Sequence, residues 1–165
     1  MSKCRKALVA AAVVLAAGLA GSAPAQASSA RAAGPSFRLV DEGTGDWAKN
    51  FPPGGTRPPF ATGIVLDQGF ASIYERWNVT RYEDGYAIRD VGTGFWATDR
   101  GGQVLGTSEF DPGTSVWSVE RAGGGVFIIK KRGQDLVWTE VDNHVELKPA
   151  DGSPAQHWRF EPVDG

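Results

Sequence analysis

Reactive groups are scarce in this chain. It holds two histidines and one cysteine. His144 lies in Asp142-Asn143-His144, a turn composition, and His157 precedes Trp158 at the start of an alternating stretch, where it is expected to face solvent. There is no Gly-x-Ser-x-Gly elbow, and Cys4 falls in a segment expected to be removed, so a nucleophile–histidine pair has no candidate. The sequence has no His-Glu-x-x-His motif and no cysteine ligand set, so neither a metal nor another cofactor is expected. Asp142 with Glu146, and Asp41 with Glu42, are the carboxylate pairs from which glycosidase chemistry would have to come. Surface acids at such spacings are common and carry little weight. Gly92-Thr93-Gly94 lacks the third glycine of a dinucleotide loop and precedes a strand pattern, which makes it a turn. These residues point to binding, not catalysis.

Binding chemistry is better supplied. Lys49 and Arg57 are the only basic side chains between Lys49 and Phe60, and either suits a partner pocket with an acidic base. Asn50 and Thr56 stand beside them. Four prolines in this interval fix φ and restrict its freedom, which lowers the entropy lost when a partner grips it. Phe51 and Phe60 are placed to pin its base. Trp47, Trp96 and Trp138 are expected to pack at the ends of hairpins, with sugar stacking as the second use of the same rings.

These residues need elements to carry them, and the first stretch must be set aside. Lys3, Arg5 and Lys6 precede an apolar run from Ala7 to Ala20, and Ala25-Gln26-Ala27 supplies small residues for cleavage. This is the secretory pattern, too short for the roughly 20 residues that span a bilayer. A signal peptide over 1–27, a flexible tail over 28–34 and one domain over 35–165 are expected, hence an exported, extracellular protein with no membrane contact after cleavage. The leader is basic, so the remainder is more acidic than the whole chain's formal charge of −2. That balance does not suit nucleic acid. Without its only cysteine the mature chain must be stabilised by its core, for which six Trp, eight Phe and three Tyr are available.

The remainder is written three times over. Trp77, Trp117 and Trp158 stand 40 and 41 residues apart, each opening an alternating Trp-x-apolar strand. Phe37-Arg38-Leu39, Tyr86-Ala87-Ile88 and Phe127-Ile128-Ile129 open a second series, each leading into a glycine turn and then to Trp47, Trp96 or Trp138. Four strands per unit and three units give twelve. Three units are too few for a propeller, and a closed barrel removes sheet edges, so the expected fold is an all-β, twelve-stranded β-trefoil. Trp77, Trp117 and Trp158 are expected to form one layer of the core. The symmetry breaks once. Trp96 to Trp117 spans 21 residues and Trp138 to Trp158 spans 20, but Trp47 to Trp77 spans 30. About ten extra residues therefore enlarge the loop between the second and third strands of the first unit, and such insertions often bind.

Leu136-Val137-Trp138, Val145-Glu146-Leu147-Lys148-Pro149 and Asp151 to Val163 resemble the C-terminal repeat of the fungal cospin-like β-trefoil serine protease inhibitors, and Phe37 to Trp47 is similar to that family's opening strand and turn. The resemblance implies non-covalent inhibition of an extracellular serine protease through a surface loop. On that reading the contact loop holds Lys49, Asn50, Thr56 and Arg57, and the protein acts as a monomer. A more distant similarity is to the ricin-type lectins, marked by Gln-x-Trp in each repeat. Gln156-His157-Trp158 fits that mark; Glu75-Arg76-Trp77 and Ser115-Val116-Trp117 do not. This second resemblance implies glycans as the alternative partner.

Overall fold

The computed structural model describes residues 35–54 and 60–163. The expected leader and tail, and Thr56 and Arg57 within the insertion, lie outside the described residues.

All strands, numbered in chain order, belong to one antiparallel sheet. The Trp strands are β5 (Trp77–Tyr82), β9 (Val116–Gly123) and β13 (Trp158–Val163). Each pairs along its length with a second type, respectively β6 (Gly85–Asp90), β10 (Val126–Lys131) and β1 (Ser36–Asp41). Then come β2 (Trp47–Lys49), β7 (Trp96–Arg100) and β11 (Leu136–Val141). The fourth type is β4 (Val65–Asp67), β8 (Gln103–Thr107) and β12 (His144–Pro149). Those twelve make three units of four, and β1 against β13 closes the ring. Tight turns set the hairpins. Gly101 and Gly102 join β7 to β8, and Asp142 and Asn143 join β11 to β12, all at positive φ, as two-residue hairpin turns require.

A thirteenth strand corrects the expected twelve. β3 (Ala61–Gly63) is the return limb of the insertion and pairs with β8, from Ala61↔Thr107 to Gly63↔Leu105. The extra residues are not all loop; part of them extends the sheet.

Trp77, Trp117 and Trp158 are buried, and their indole N–H groups donate to the carbonyls of Ala48 (2.8 Å), Ala97 (3.0 Å) and Trp138 (3.2 Å). One bond repeated three times confirms the shared layer and makes Ala48, Ala97 and Trp138 equivalent. Strand register agrees: Val40 faces Trp47, Arg89 faces Trp96 and Lys130 faces Val137. Grouping Trp138 with Trp47 and Trp96 is therefore wrong by one residue. In a strand one residue is a change of face, so Trp138 points into the barrel, fully buried and edge-on to Trp117 and Trp158.

Candidate functional site

At the base of the insertion the structure departs from the expectation for a contact loop. Lys49 is 1% exposed and its ammonium reaches Asp67 at 3.1 Å. Asn50 is fully buried. Its side-chain amide donates to Thr62 Oγ1 (2.8 Å) and to the carbonyls of Thr62 and Gly63 (both 3.3 Å), and its backbone N–H donates to the Tyr74 carbonyl. Neither residue presents a side chain to a partner. Alternation explains Lys49: it lies two residues from Trp47, on the same strand face, where Asp67 of the neighbouring strand covers it. Asn50 is a clasp that holds both limbs of the insertion together. The aromatic pins behave as expected. Phe51 packs on Tyr74, with ring centroids 5.8 Å apart, and Phe60 stacks on Phe95 at 6.3 Å.

Beyond the clasp the insertion and the β7–β8 hairpin frame a cleft of about 300 Å³. Phe60 and Ala61 form one wall; Arg100, Leu105, Ser108 and Glu109 form the other. The walls are tied by the β3–β8 pairing and by the Ser108 N–H to the Phe60 carbonyl. Among the described residues Arg100 makes no ion pair, and the residue is exposed. The cleft thus offers one anchored aromatic ring, a donor fork, a carboxylate acceptor and a hydroxyl: Arg100 ends β7, Phe60 directly precedes β3, and Ser108 and Glu109 directly follow β8. Phe60 marks the end of the insertion in the sequence, but Ser108 and Glu109 carry no sequence signal; only the β3–β8 pairing brings them to it.

The Gln-x-Trp positions are structural. Gln156, Glu75 and Ser115 are all buried. Gln156 donates to Thr139 Oγ1 and the Pro149 carbonyl and accepts from the Asp151 and Gly152 N–H groups. Glu75 accepts from Arg38 Nε at 2.8 Å, and Ser115 Oγ lies 2.8 Å from Thr98 Oγ1. Three different polar groups do the same job of fastening the segment before each Trp strand. The outer tryptophans are covered. Arg38 lies over Trp47 at 4.6 Å and Arg89 over Trp96 at 4.9 Å, and Phe110 packs against Trp96 as well. They are hairpin packing, not open platforms.

His144 borders a second recess, about 260 Å³, with Gly63, Gln103 and Glu146. Its Nδ1 lies 2.9 Å from the Asp142 carbonyl and therefore carries the proton of the neutral ring. Among the described residues no three His, Cys, Asp or Glu side chains gather as a metal site would need.

Two turns bury a carboxylate. Asp41 accepts from Thr44 N (2.7 Å) and Oγ1 (3.0 Å); Asp90 accepts from Thr93 N (2.6 Å) and Oγ1 (2.7 Å). In each, the other oxygen is buried without a partner. Burial pushes the Asp90 carboxyl up to about 7, against the lowering effect of the Thr93 bonds. Asp41 is raised too, by burial first and by the charge of Glu140 as well.

No protein-family model matches the chain, and no curated protein does. Solved structures do. A ricin B-like lectin of Macrolepiota procera in complex with lactose has a TM-score of 0.64 at 11% identity, covering 79% of this chain and 97% of that one. The BEL β-trefoil gives 0.64 at 17%, covering 80% and 95%. SeviL bound to asialo-GM1 saccharide gives 0.61 at 11%, covering 76% and 95%. At these identities the likeness is one of fold: the chain is an all-β protein with β-trefoil neighbours, ricin B-like lectins among them.

Proposed function

We propose that the mature chain is an exported, non-catalytic β-trefoil that binds carbohydrate, with a sugar ring seated in the cleft between Phe60 and Arg100. The composition of that cleft carries the reading. Sugar sites need an apolar surface for the C–H face of the ring and a few fixed polar groups for its hydroxyls, and the volume falls at the small end of ligand pockets. Phe60 supplies the first; Arg100, Glu109 and Ser108 supply the second as donor, acceptor and both. Two of the similar structures hold saccharides, which supports the same class of ligand.

Protease inhibition is the weaker reading. With Lys49 and Asn50 buried, it would have to rest on Thr56 and Arg57 alone. One experiment separates the two. The protein after residue 27 is applied to a glycan array, its best glycan is titrated by calorimetry, and the same preparation is assayed against trypsin-like, chymotrypsin-like and subtilisin-like proteases. We expect glycan binding that Phe60→Ala and Arg100→Ala each weaken about tenfold or more, equivalent to ~1.4 kcal/mol, with melting temperatures little changed. Inhibition of a protease with no glycan bound would replace this reading with the other.

A further inference from the structure

Thr93 has one hydroxyl proton and two acceptors for it. Its Oγ1 lies 2.7 Å from Asp90 Oδ1 and 3.1 Å from Asn50 Oδ1. A hydroxyl donates once, so the two bonds are alternatives. An ionised carboxylate is the stronger acceptor and takes the proton. The fully buried Asn50 oxygen then has no other donor among the described residues. A neutral Asp90 gives up that claim, and the hydroxyl can turn to Asn50.

We propose that Thr93 relays the protonation of Asp90 to Asn50, so that the limbs of the insertion and the Phe60 wall are held tightly in acid and released in alkali. Asn50 is the right target for such a relay, because its other bonds fasten Thr62, Gly63 and the Tyr74 carbonyl. A second path runs beside it: the Phe95 N–H donates to Thr93 Oγ1 at 3.1 Å, and Phe95 is the ring on which Phe60 stacks. The Asp41–Thr44 turn is the internal control. It has the same Asp–Thr bonds, but among the described residues Thr44 Oγ1 meets no second acceptor.

The titration falls in a useful range, since burial lifts Asp90 to about 7. Of the charged side chains on the elements around it, three are engaged elsewhere, and the Arg76 Nε is buried without a hydrogen-bond partner among the described residues. Glu75 is paired with Arg38, Lys49 with Asp67, and Arg89 bonds the Gly94 carbonyl and covers Trp96. Arg76 meets the Asp90 turn through its backbone carbonyl, which accepts from Val91 N–H, and the Tyr74 ring lies over Gly92. None of these is ion-paired or hydrogen-bonded to the Asp90 carboxylate among the described residues.

The test is a side-chain carbonyl NMR titration from pH 5 to 9, and it is independent of whether any sugar binds. In the unaltered protein the Asn50 Cγ shift should follow the Asp90 Cγ with one midpoint. Amide exchange of residues 60–64, corrected for intrinsic rates, should become several-fold faster above it. In Asp90→Asn the Asn50 signal should be flat. In Thr93→Val, Asp90 should still titrate while Asn50 stays flat, and Thr93→Ser should restore the coupling. A flat Asn50 signal in the unaltered protein overturns the proposal. So does an Asn50 titration that persists in Asp90→Asn, because Asp90 would then not be its source. If Thr93→Val does not fold, the Ser and Asn variants decide alone.

Discussion

Asp90 costs the fold stability at neutral pH. The residue is 1% exposed, and its carboxyl has one oxygen without a partner and is raised by burial to about 7 from the ordinary 3.8. Below about pH 4 both folded and unfolded chains carry the proton and the group is neutral toward folding. Between there and about 7 the folded state holds a proton that the unfolded state has lost, so stability falls as pH rises. Three pH units of difference correspond to roughly 4 kcal/mol as an upper order of magnitude. Asp90→Asn removes the titrating group and keeps the acceptor for Thr93. Thermal melts should show the variant more stable than the parent at pH 8 and nearly equal to it at pH 4. Equal melting temperatures at both pH values would mean that the carboxyl is not held out of water as the structure shows. The buried threonine–aspartate turn is written in the sequence as Asp-x-Gly-Thr-Gly in two units, yet nothing there says that the carboxylate is sealed. That follows from the packing of Ile73 and Tyr74 over Gly92, a contact between distant segments.

The insertion is the element in which the sequence was half legible. Its position follows from the 30-residue interval, and its aromatic pins from Phe51 and Phe60. Its pairing along β8 does not, because Ala61-Thr62-Gly63 is too short and too poor in β-branched residues to read as a strand. The burial of Asn50 was equally hidden. The side chain fits only because residue 106 is glycine: a Cβ there would collide with the Asn50 amide. The one-residue displacement of Trp138, by contrast, was visible as 20 residues where the second unit has 21. Unit three carries Val137 where the others carry Trp47 and Trp96, and its corresponding turn opens a polar groove of about 290 Å³ with Lys130, Glu120 and Asp135 on its walls. Loop deletion should divide the insertion at the clasp. Replacing residues 52–59 by a short Gly-Ser turn should leave the melting temperature within a few degrees of the parent, since long loops cost little and give little back. A deletion that also removes Asn50 should lower it clearly, by loss of several buried hydrogen bonds at about 1 kcal/mol each. Equal losses from both deletions would remove Asn50 from its role.

At the scale of the molecule the core is one object. Ala48, Ala97 and Trp138 occupy equivalent places, so one indole and two methyl groups share that level of the barrel, and Trp117 and Trp158 pack edge-on against the indole at 5.2 and 6.0 Å. Only one of the three positions is large. Trp117→Ala would leave a void beside Trp138 and free the Ala97 carbonyl, at a cost of about 3–5 kcal/mol. That is a large part of a typical ~5–15 kcal/mol stability. Expression yield and thermal melting should show a poorly folded variant; an unchanged melting temperature would place Trp117 outside the core. The junctions between units are less alike than the core. Lys131 meets Asp99 in an ion pair, Thr93 meets Asn50 through a hydroxyl, and Asp41 feels the charge of Glu140. Unlike joints make each unit fit one neighbour better than another.

The ring is closed by β1 against β13, from Ser36↔Val163 to Asp41↔Trp158. In time, this means that one edge of the first strand to be made is the last to find its partner. Residues 127 positions apart must meet before Leu39 is covered, and contacts so distant in sequence slow folding. Until the final strand is made, the first has partners only on the side of β2 and β5, and its other edge stays open to proteases and to the edges of other chains.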